Sequence, residues 1–224
     1  MTTTRRDFLE RLTGSAALLG AMPAALAAMA PSEPVPAPTA ADAWDMSWVG
    51  RVKGKHKAVI DATHIEGGDP VYRAGMWKGG FMETEGAKPS DFSTVLVLRH
   101  EAIALAMTPE FWATYDVGKK RVPAGDPPTS KNPALLNSKR DGNPPMLDDL
   151  MLDRYLASGG IALACNVALG FLCVPLIAEK DKLSQEEAHK KAVSMLVPGV
   201  ILQPSGVFAT LRAQQAGCLY VLGS

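Results

Sequence analysis

The sequence predicts an α/β protein, a three-layer α/β/α sandwich around a mostly parallel sheet of five strands. Short apolar segments with strand character alternate with helix-like segments from residue 56 to residue 222. Such alternation is typical of βαβ units, whose right-handed crossovers place helices on both faces of the sheet. The chain has 224 residues. Removal of the N-terminal segment discussed below leaves about 200, which is enough for one core and too few for two.

The strands are predicted from runs of apolar and β-branched residues. Ser93–Leu98 is the clearest run, because it shows little alternation and is therefore typical of a strand buried on both faces. The five predicted strands are residues 56–62, 93–98, 161–165, 200–203 and 218–222.

Local start and stop signals predict the helices between these strands. Asp69 followed by Pro70 indicates an N-cap and a first helical position, and Ser184 with Glu187 forms a capping-box pattern. The predicted helices are residues 70–85, a short helix after Thr108, 147–158 with Gly159-Gly160 as its C-cap, 167–196 with breaks near Pro175 and Asp181, and 207–216. Residues 101–107 either extend a strand or begin a helix, and both alternatives stay open.

Residues 116–146 interrupt the alternation with a proline-rich segment. It holds six prolines and more basic than acidic residues. A loop of this length inside a compact domain is either a functional lid or a segment without fixed structure. We expect a solvated insertion.

The N-terminus predicts an exported protein. Arg5-Arg6 precedes a short apolar run that ends in Ala25-Leu26-Ala27, with Ala28-Met29-Ala30 as a second A-x-A site. A charged start, a short apolar run and an A-x-A site make a signal peptide, and paired arginines are the address of the twin-arginine (Tat) translocon. The run is shorter than the roughly 20 residues of a spanning helix. We expect cleavage after Ala27 or Ala30 and a periplasmic location.

Three parts of the chain follow from these signals. Residues 1–27 are assigned to the Tat signal peptide. Residues 28–50 are rich in proline and alanine, a composition that is stiff and extended and builds no core, so they are assigned to a linker. Residues 51–224 are assigned to one α/β domain that carries the insertion at 116–146.

Charge and cysteine content exclude several classes of function. Removal of residues 1–27 leaves 20 basic and 21 acidic residues, a formal net charge of −1, so no basic excess indicates nucleic acid. The three cysteines, Cys165, Cys173 and Cys218, have neither zinc-ribbon nor CxxC spacing. Because their number is odd, at least one thiol is free, modified or intermolecular. No metal site is predicted, and the sequence leaves any cofactor unknown.

The candidate functional residues lie where predicted strands end. Ligands of open parallel sheets bind outside the carboxyl ends of the strands. His64, His100, Cys165 with the adjacent Asn166, and Ser205 occupy these positions. We assign them to one site, with Cys165 as the catalytic residue and the other four as substrate-binding residues.

Cys165 is the sharpest of these candidates. It closes an apolar strand just before a helix, where backbone N–H groups and the helix dipole favour a thiolate. The alternative is a buried cysteine that behaves as a small apolar side chain. We expect Cys173 and Cys218 to be core residues. Cys173 lies roughly 12 Å from Cys165 along an ideal helix, which is too far for a disulfide.

Several segments resemble the DsrE/DsrF-like family. Residues 158–166 are similar to its segment of glycine, hydrophobic strand and cysteine. Residues 196–207, with Pro198-Gly199-Val200 and Pro204-Ser205-Gly206-Val207, resemble another conserved stretch of that family. Residues 211–220 are similar to its terminal segment, and 95–100 to an earlier strand that ends in histidine. The similar segments follow the family order and together extend over residues 56–222.

The resemblance implies a flavodoxin-like three-layer fold and homo-oligomers, often trimers or hexamers. It also implies that Cys165 accepts sulfur and hands it on as a persulfide, with a small sulfur compound or a protein thiol as partner. The chain differs from the family in its export signal, in Asn166 where glycine or valine is common, and in having the insertion at 116–146 and an extra helix near 176–196.

Three functions remain open at this point. The first is an exported DsrE-like protein whose Cys165 thiol binds or transfers sulfur, with His100 nearby. The second is a non-catalytic periplasmic module that binds a small ligand or a haem-like cofactor. The third is an oligomeric accessory protein without small-molecule chemistry.

Overall fold

The computed structural model describes residues 44–121, 130–138 and 144–224. The predicted signal peptide, both of its cleavage sites and the linker up to residue 43 lie outside this part. Residues 44–50, which the sequence assigned to the linker, belong to the folded unit. Ser47–Arg51 form a 3₁₀ helix, and Trp48 is fully buried because its indole packs on one face of the sheet.

The sheet has five strands, as predicted. They are β1 His56–Ala62, β2 Phe92–Leu98, β3 Ile161–Cys165, β4 Ile201–Gln203 and β5 Leu219–Leu222. Their order is β4-β3-β2-β1-β5, and every neighbouring pair is parallel. The sheet is therefore entirely parallel, where the sequence predicted a mostly parallel one.

Side chains alternate between two apolar clusters on opposite faces of the sheet. In β2, Leu96 and Leu98 join the larger cluster, whereas Val95 and Val97 join the smaller one. The chain advances one strand at a time from β1 to β4 and then crosses the whole sheet to place β5 beside β1. The result is the predicted three-layer α/β/α sandwich of flavodoxin-like type.

The α-helices lie between the strands in chain order. They are α1 Asp69–Glu85, α2 Pro109–Thr114, α3 Val117–Lys120, α4 Leu152–Ala157, α5 Asn166–Ala168, α6 Val174–Asp181, α7 Gln185–Ser194 and α8 Gly206–Gln215. Helix α8 packs on the face of the smaller cluster, and the others that contribute to the core pack on the larger one. In the part of the chain described, no helix is both long and apolar enough to cross a bilayer.

Capping residues explain several helix starts and correct one. Thr108 caps α2 by accepting the N–H of Phe111, and Ser184 and Glu187 form the predicted capping box of α7. Asp69 was predicted as the N-cap of α1, but the helix already begins at Asp69 and Gly68 is the cap. Gly68 has φ 96°, a left-handed conformation that glycine adopts without steric cost.

Two predicted helices are interrupted differently from expectation. Residues 147–158 form a 3₁₀ helix, Pro145–Leu150, followed by the short α4. Pro175 does not break the helical path after β3. It follows the π-helical turn Leu169–Cys173 and lies in the first turn of α6, where the N–H that proline lacks is not needed. For residues 101–107 the sequence left both a strand and a helix as alternatives. The segment is neither a strand nor an α-helix, since His100–Ala106 form a 3₁₀ helix.

Part of the insertion at 116–146 is core and not a solvated loop. Asn132, Ala134 and Leu135 are buried. The Asn132 amide donates to the carbonyl oxygens of Leu105 at 2.9 Å and Met107 at 2.6 Å, which satisfies backbone groups at the end of the 3₁₀ segment. The prediction of a solvated insertion is therefore wrong for these residues. The buried asparagine supplies hydrogen bonds that hold the segment in the core, and a sequence pattern does not reveal them.

Candidate functional site

A crevice opens at the carboxyl ends of β3 and β4. The chain leaves β3 toward one face of the sheet and leaves β4 toward α8 on the other face, so the two connections diverge here. Parallel sheets bind ligands where connections diverge in this way. The crevice has a volume of about 390 Å³. Its lining consists of three sequence-predicted residues, two charged residues and a wall of apolar residues and glycine: Cys165, His100 and Ser205, then Arg99 and Glu101, then Val167, Ala168, Phe171, Leu172, Gly206 and Val207.

Cys165 lies at the inner end of this crevice. It is the last residue of β3, and its side chain is 6% exposed. The backbone N–H of Ala168 donates to Cys165 Sγ at 3.3 Å, so the sulfur caps the helical path that follows. The sulfur is therefore held in a defined position at the lining of the crevice.

Arg99 is fixed beside the crevice by a carboxylate. Its Nε donates to Asp61 Oδ1 at 2.7 Å and its Nη2 to Oδ2 at 2.9 Å. The Tyr220 hydroxyl also donates to Asp61 Oδ2, at 3.0 Å. The hydrogen bonds with Asp61 are the main cause of the raised pKa of Arg99, and the charges of Asp61, Tyr220 and Cys165 raise this pKa further. The guanidinium is therefore held in place as a permanent positive charge near the sulfur.

Gly206 allows Arg99 to take this position. A Cβ atom at residue 206 would lie 2.5 Å from Arg99 Cβ and 2.7 Å from Arg99 Cδ. Contacts that short do not occur between carbon atoms, so any larger residue would displace the arginine stem. The glycine at the start of α8 is thus a requirement of packing within the site.

His100 follows β2 in a conformation that few residues adopt. Its φ is 52°, in the left-handed region, and its side chain is exposed at the crevice. Non-glycine residues with positive φ are concentrated at functional sites, where surrounding contacts maintain the strain. The position lets an imidazole, a group suited to proton exchange near neutral pH, face the crevice that contains Cys165.

The remaining predicted residues lie in different places. Ser205 lines the crevice, and its Oγ accepts the N–H of Phe208 at 3.1 Å as the N-cap of α8. Asn166 and His64 are outside the lining. Asn166 Oδ1 lies 2.6 Å from His189 Nε2, which ties the chain after β3 to α7. The His64 ring is centred 6.5 Å from that of His100.

The mouth of the crevice is apolar and exposed. Phe171 is 76% exposed, Val207 60% and Val167 49%. Phe171 sits in the π-helical turn, a geometry often found at functional sites because the extra residue redirects neighbouring side chains. An apolar rim around a thiol suits contact with an apolar part of a ligand or with another protein surface.

The other two cysteines lie in environments that keep the thiol protonated. Burial raises the pKa of Cys173 to about 12 and that of Cys218 to about 11. All three cysteines are free. Among the described residues no group of three or more histidine, cysteine, aspartate or glutamate side chains could hold a metal ion.

Several features of the site were missed by sequence reasoning. The Asp61–Arg99–Tyr220 cluster joins one residue of β1, the residue that follows β2 and one residue of β5, which are far apart in the chain. An aspartate within the otherwise apolar second half of β1 was an available signal, because a buried carboxylate needs a cationic or donor partner. Phe171 and His189 carried no signal, since their roles depend on the π-helical turn and on helix packing.

The sequence was also compared with known proteins. No family model matches the chain, and no curated protein matches it significantly.

Proposed function

We propose that this chain is an exported DsrE-like protein in which Cys165 carries sulfur as a persulfide. The observation that carries the proposal is the position of Cys165 Sγ, in the crevice where strand connections diverge and within hydrogen-bonding distance of the Ala168 N–H. The family resemblance of residues 56–222 points to the same cysteine. The paired arginines at positions 5 and 6 support export to the periplasm.

The chemical step is an exchange of one sulfur atom between thiols. The Cys165 thiolate attacks the terminal sulfur of a donor persulfide, R–S–SH. The new bond joins the two sulfur atoms, the donor S–S bond breaks, and R–S⁻ leaves with the electron pair, so no external oxidant is needed. In this proposal the Ala168 N–H and the Arg99 guanidinium stabilise negative charge on the sulfur, and His100, which lines the same crevice, supplies a proton to the departing thiolate.

Intact mass after incubation with a small persulfide tests this proposal. The wild-type protein should gain the mass of one sulfur atom, lost again on reduction, and Cys165→Ser should gain none. Cys218→Ser is the matched control, because Cys218 is buried with its pKa raised, and it should behave like wild type. An equal gain in wild type and Cys165→Ser would refute the proposal.

A ligand-binding module is the second candidate function. It is favoured by the volume of the crevice, about 390 Å³, and by its apolar mouth, which are typical of sites for small organic ligands. In this case protein purified from its native compartment would carry a bound compound or a chromophore. That compound should dissociate at the same rate from the wild-type protein and from the Cys165→Ser variant.

We also propose that the chain forms homo-oligomers through β5. All four residues of this edge strand are exposed, with Leu219 75% and Leu222 60% exposed. The strand has neither lysine nor proline, the residues that normally protect a sheet edge from pairing. A second copy is a fitting partner because two identical edges are self-complementary across a two-fold axis.

A further inference from the structure

A second cavity lies next to the crevice, on the other side of Glu101 and Leu172. Its volume is about 240 Å³. Glu101 and Leu172 line both cavities, so they form the partition between them. The other lining residues come from the 3₁₀ segment after β2, from α2 and α3 with the residue that follows, and from the helical path after β3: Ile103, Ala104, Phe111, Val117, Lys120, Arg121, Cys173 and Leu176.

Two oppositely charged side chains of this cavity have buried atoms without a partner. Glu101 Oε2 and Arg121 Nε are both shielded from solvent and form no hydrogen bond within the described residues. No ion pair joins the two side chains among the described residues, although both line the same cavity. Lys120 adds a second cationic side chain to the lining.

Leaving such groups unpaired is costly. A buried ionised group loses several kcal/mol of hydration unless a partner replaces the water. Most unsatisfied buried groups in native proteins are explained by an unseen water, an ion or a functional role. Here the two orphan atoms have opposite requirements, since the carboxylate oxygen needs a donor and the guanidinium N–H needs an acceptor.

From these groups we infer a second binding site, for a small carboxylate with a hydrogen-bond donor on the carbon next to it. The ligand carboxylate accepts from Arg121 Nε and pairs with Lys120. Its neighbouring hydroxyl or ammonium group donates to Glu101 Oε2. Phe111 and Leu172, which line the cavity, contact the short carbon chain of the ligand.

Cavity volume restricts the size of the ligand. A volume of 240 Å³ corresponds to roughly eight water molecules at the liquid density. Small α-hydroxy acids and α-amino acids fit within this space, whereas nucleotides and haem do not. Both acid classes share the carboxylate and the adjacent donor, and the charge of the donor distinguishes them.

Calorimetric titration of the whole protein with L-lactate, L-alanine and propionate tests the site. Lactate or alanine should bind at least about tenfold more tightly than propionate, which lacks the donor that Glu101 accepts from. Tighter binding of alanine would identify the amino-acid class, and tighter binding of lactate the hydroxy-acid class. Binding of propionate as tight as that of both others, or binding of none of the three, would overturn the inference and leave a water-filled cavity.

Three variants locate the binding. Glu101→Leu and Arg121→Met each remove one orphan polar group and should weaken binding at least about tenfold. Both replace a half-buried side chain that has an unpartnered buried atom by an apolar one, so their thermal unfolding midpoints should not fall. Lys119→Met is the matched control, because Lys119 is a neighbouring cation outside the cavity lining, and it should bind like wild type. Equal affinity in all three variants would place the ligand elsewhere and refute the site.

Discussion

At the scale of single residues, the cysteine side chains differ in their expected chemistry because their surroundings differ. Cys165 ends a strand with a backbone N–H donating to its sulfur. Cys173 is 2% exposed and is surrounded by core side chains, with only the charge of Arg121 lowering its raised pKa. The second environment opposes negative charge on sulfur, because burial disfavours the thiolate. Reactivity is therefore expected from one cysteine and pH-dependent stability from another.

The Cys173 thiol should make the protein lose stability in alkaline solution. Its pKa is about 12 in the folded state against 9.0 for an ordinary thiol. Between these values the unfolded chain releases a proton that the folded chain keeps, so the stability contribution, complete below pH 9, is lost as pH rises towards 12. A full proton difference corresponds to a loss of about 1.4 kcal/mol per pH unit.

Urea unfolding at several values of pH up to 10.5, including values below 8, measures this effect. Cys173→Ala lacks the titrating thiol, so its unfolding free energy should fall less steeply above pH 9 than that of wild type. Below pH 8 the two proteins should show parallel pH profiles, which controls for the cavity left by the smaller side chain. Identical slopes above pH 9 would contradict the assigned environment.

Gly206→Ala should damage the site by displacing Arg99. The added methyl group would lie 2.5 Å from Arg99 Cβ, and relief of this overlap costs about 1–3 kcal/mol in packed regions. The displaced arginine would also disturb its hydrogen bonds with Asp61 and lower the reactivity of Cys165 in the persulfide assay.

Gly79→Ala is the matched control, because no atom lies within 4 Å of the added carbon at that exposed position of α1. Its unfolding midpoint should equal or exceed that of wild type, whereas an unchanged midpoint in Gly206→Ala would show that the arginine stem moves freely.

At the scale of elements, strands were predicted more accurately than the segments between them. β1 and β3 match the predicted ranges residue for residue, because their apolar runs are bounded by clear turn residues. The 3₁₀ helix His100–Ala106 and the π-helical turn Leu169–Cys173 were not predicted. The end of the 3₁₀ segment is held by long-range hydrogen bonds from Asn132 to the carbonyls of Leu105 and Met107, and such contacts leave no local pattern.

The candidate site was also predicted only in part, since the positions at strand ends were identified but the directions of their side chains were not. The strand-end rule brought Cys165, His100 and Ser205 to one crevice, since it needs only the positions where strands stop. It did not separate them from His64 and Asn166, which also follow strands but face other neighbours. The direction of a side chain beyond its strand depends on the turn that follows, and the sequence contains no simple signal for that direction.

The 3₁₀ helix Ser47–Arg51 should stabilise the whole domain through Trp48. The indole is fully buried in the smaller cluster, and its Nε1 donates to the buried Gln203 Oε1 at 3.2 Å. Trp48→Ala should reduce the unfolding free energy by about 3–5 kcal/mol, as for other large buried aromatic side chains. Trp44→Ala is the matched control, since Trp44 is 38% exposed, and chemical denaturation should show a much smaller change. Similar losses in both variants would indicate that Trp48 contributes no more than a surface residue.

At the scale of the whole molecule, one topological feature places the site and leaves an open edge. Because the chain returns across the full sheet after β4, the crevice forms between β3 and β4 while β5 becomes the opposite edge. Exposed apolar residues are found at both places, Phe171 and Val207 at the crevice and Leu219 to Leu222 along the edge. Exposed apolar groups are typical of surfaces that contact a ligand or another protein. In the proposed oligomer the edge strand pairs with a second copy, and the crevice stays open to a sulfur donor.

Val221→Lys should shift the protein from oligomer to monomer. Val221 is 40% exposed in the middle of β5, and a lysine on an edge strand opposes pairing because its charge would have to be desolvated between two sheets. Sedimentation velocity at micromolar concentrations should give an oligomer for wild type and a monomer for the variant. Met146→Lys adds the same charge at a 78% exposed position outside β5 and should sediment like wild type. A monomeric wild-type protein, or an oligomer that persists in Val221→Lys, would exclude β5 as the contact. Because Val221 is outside the lining of the crevice, the Val221→Lys monomer should still take up one sulfur atom at Cys165, and loss of that uptake would indicate that the reactive site depends on β5 or on its contact with a second copy.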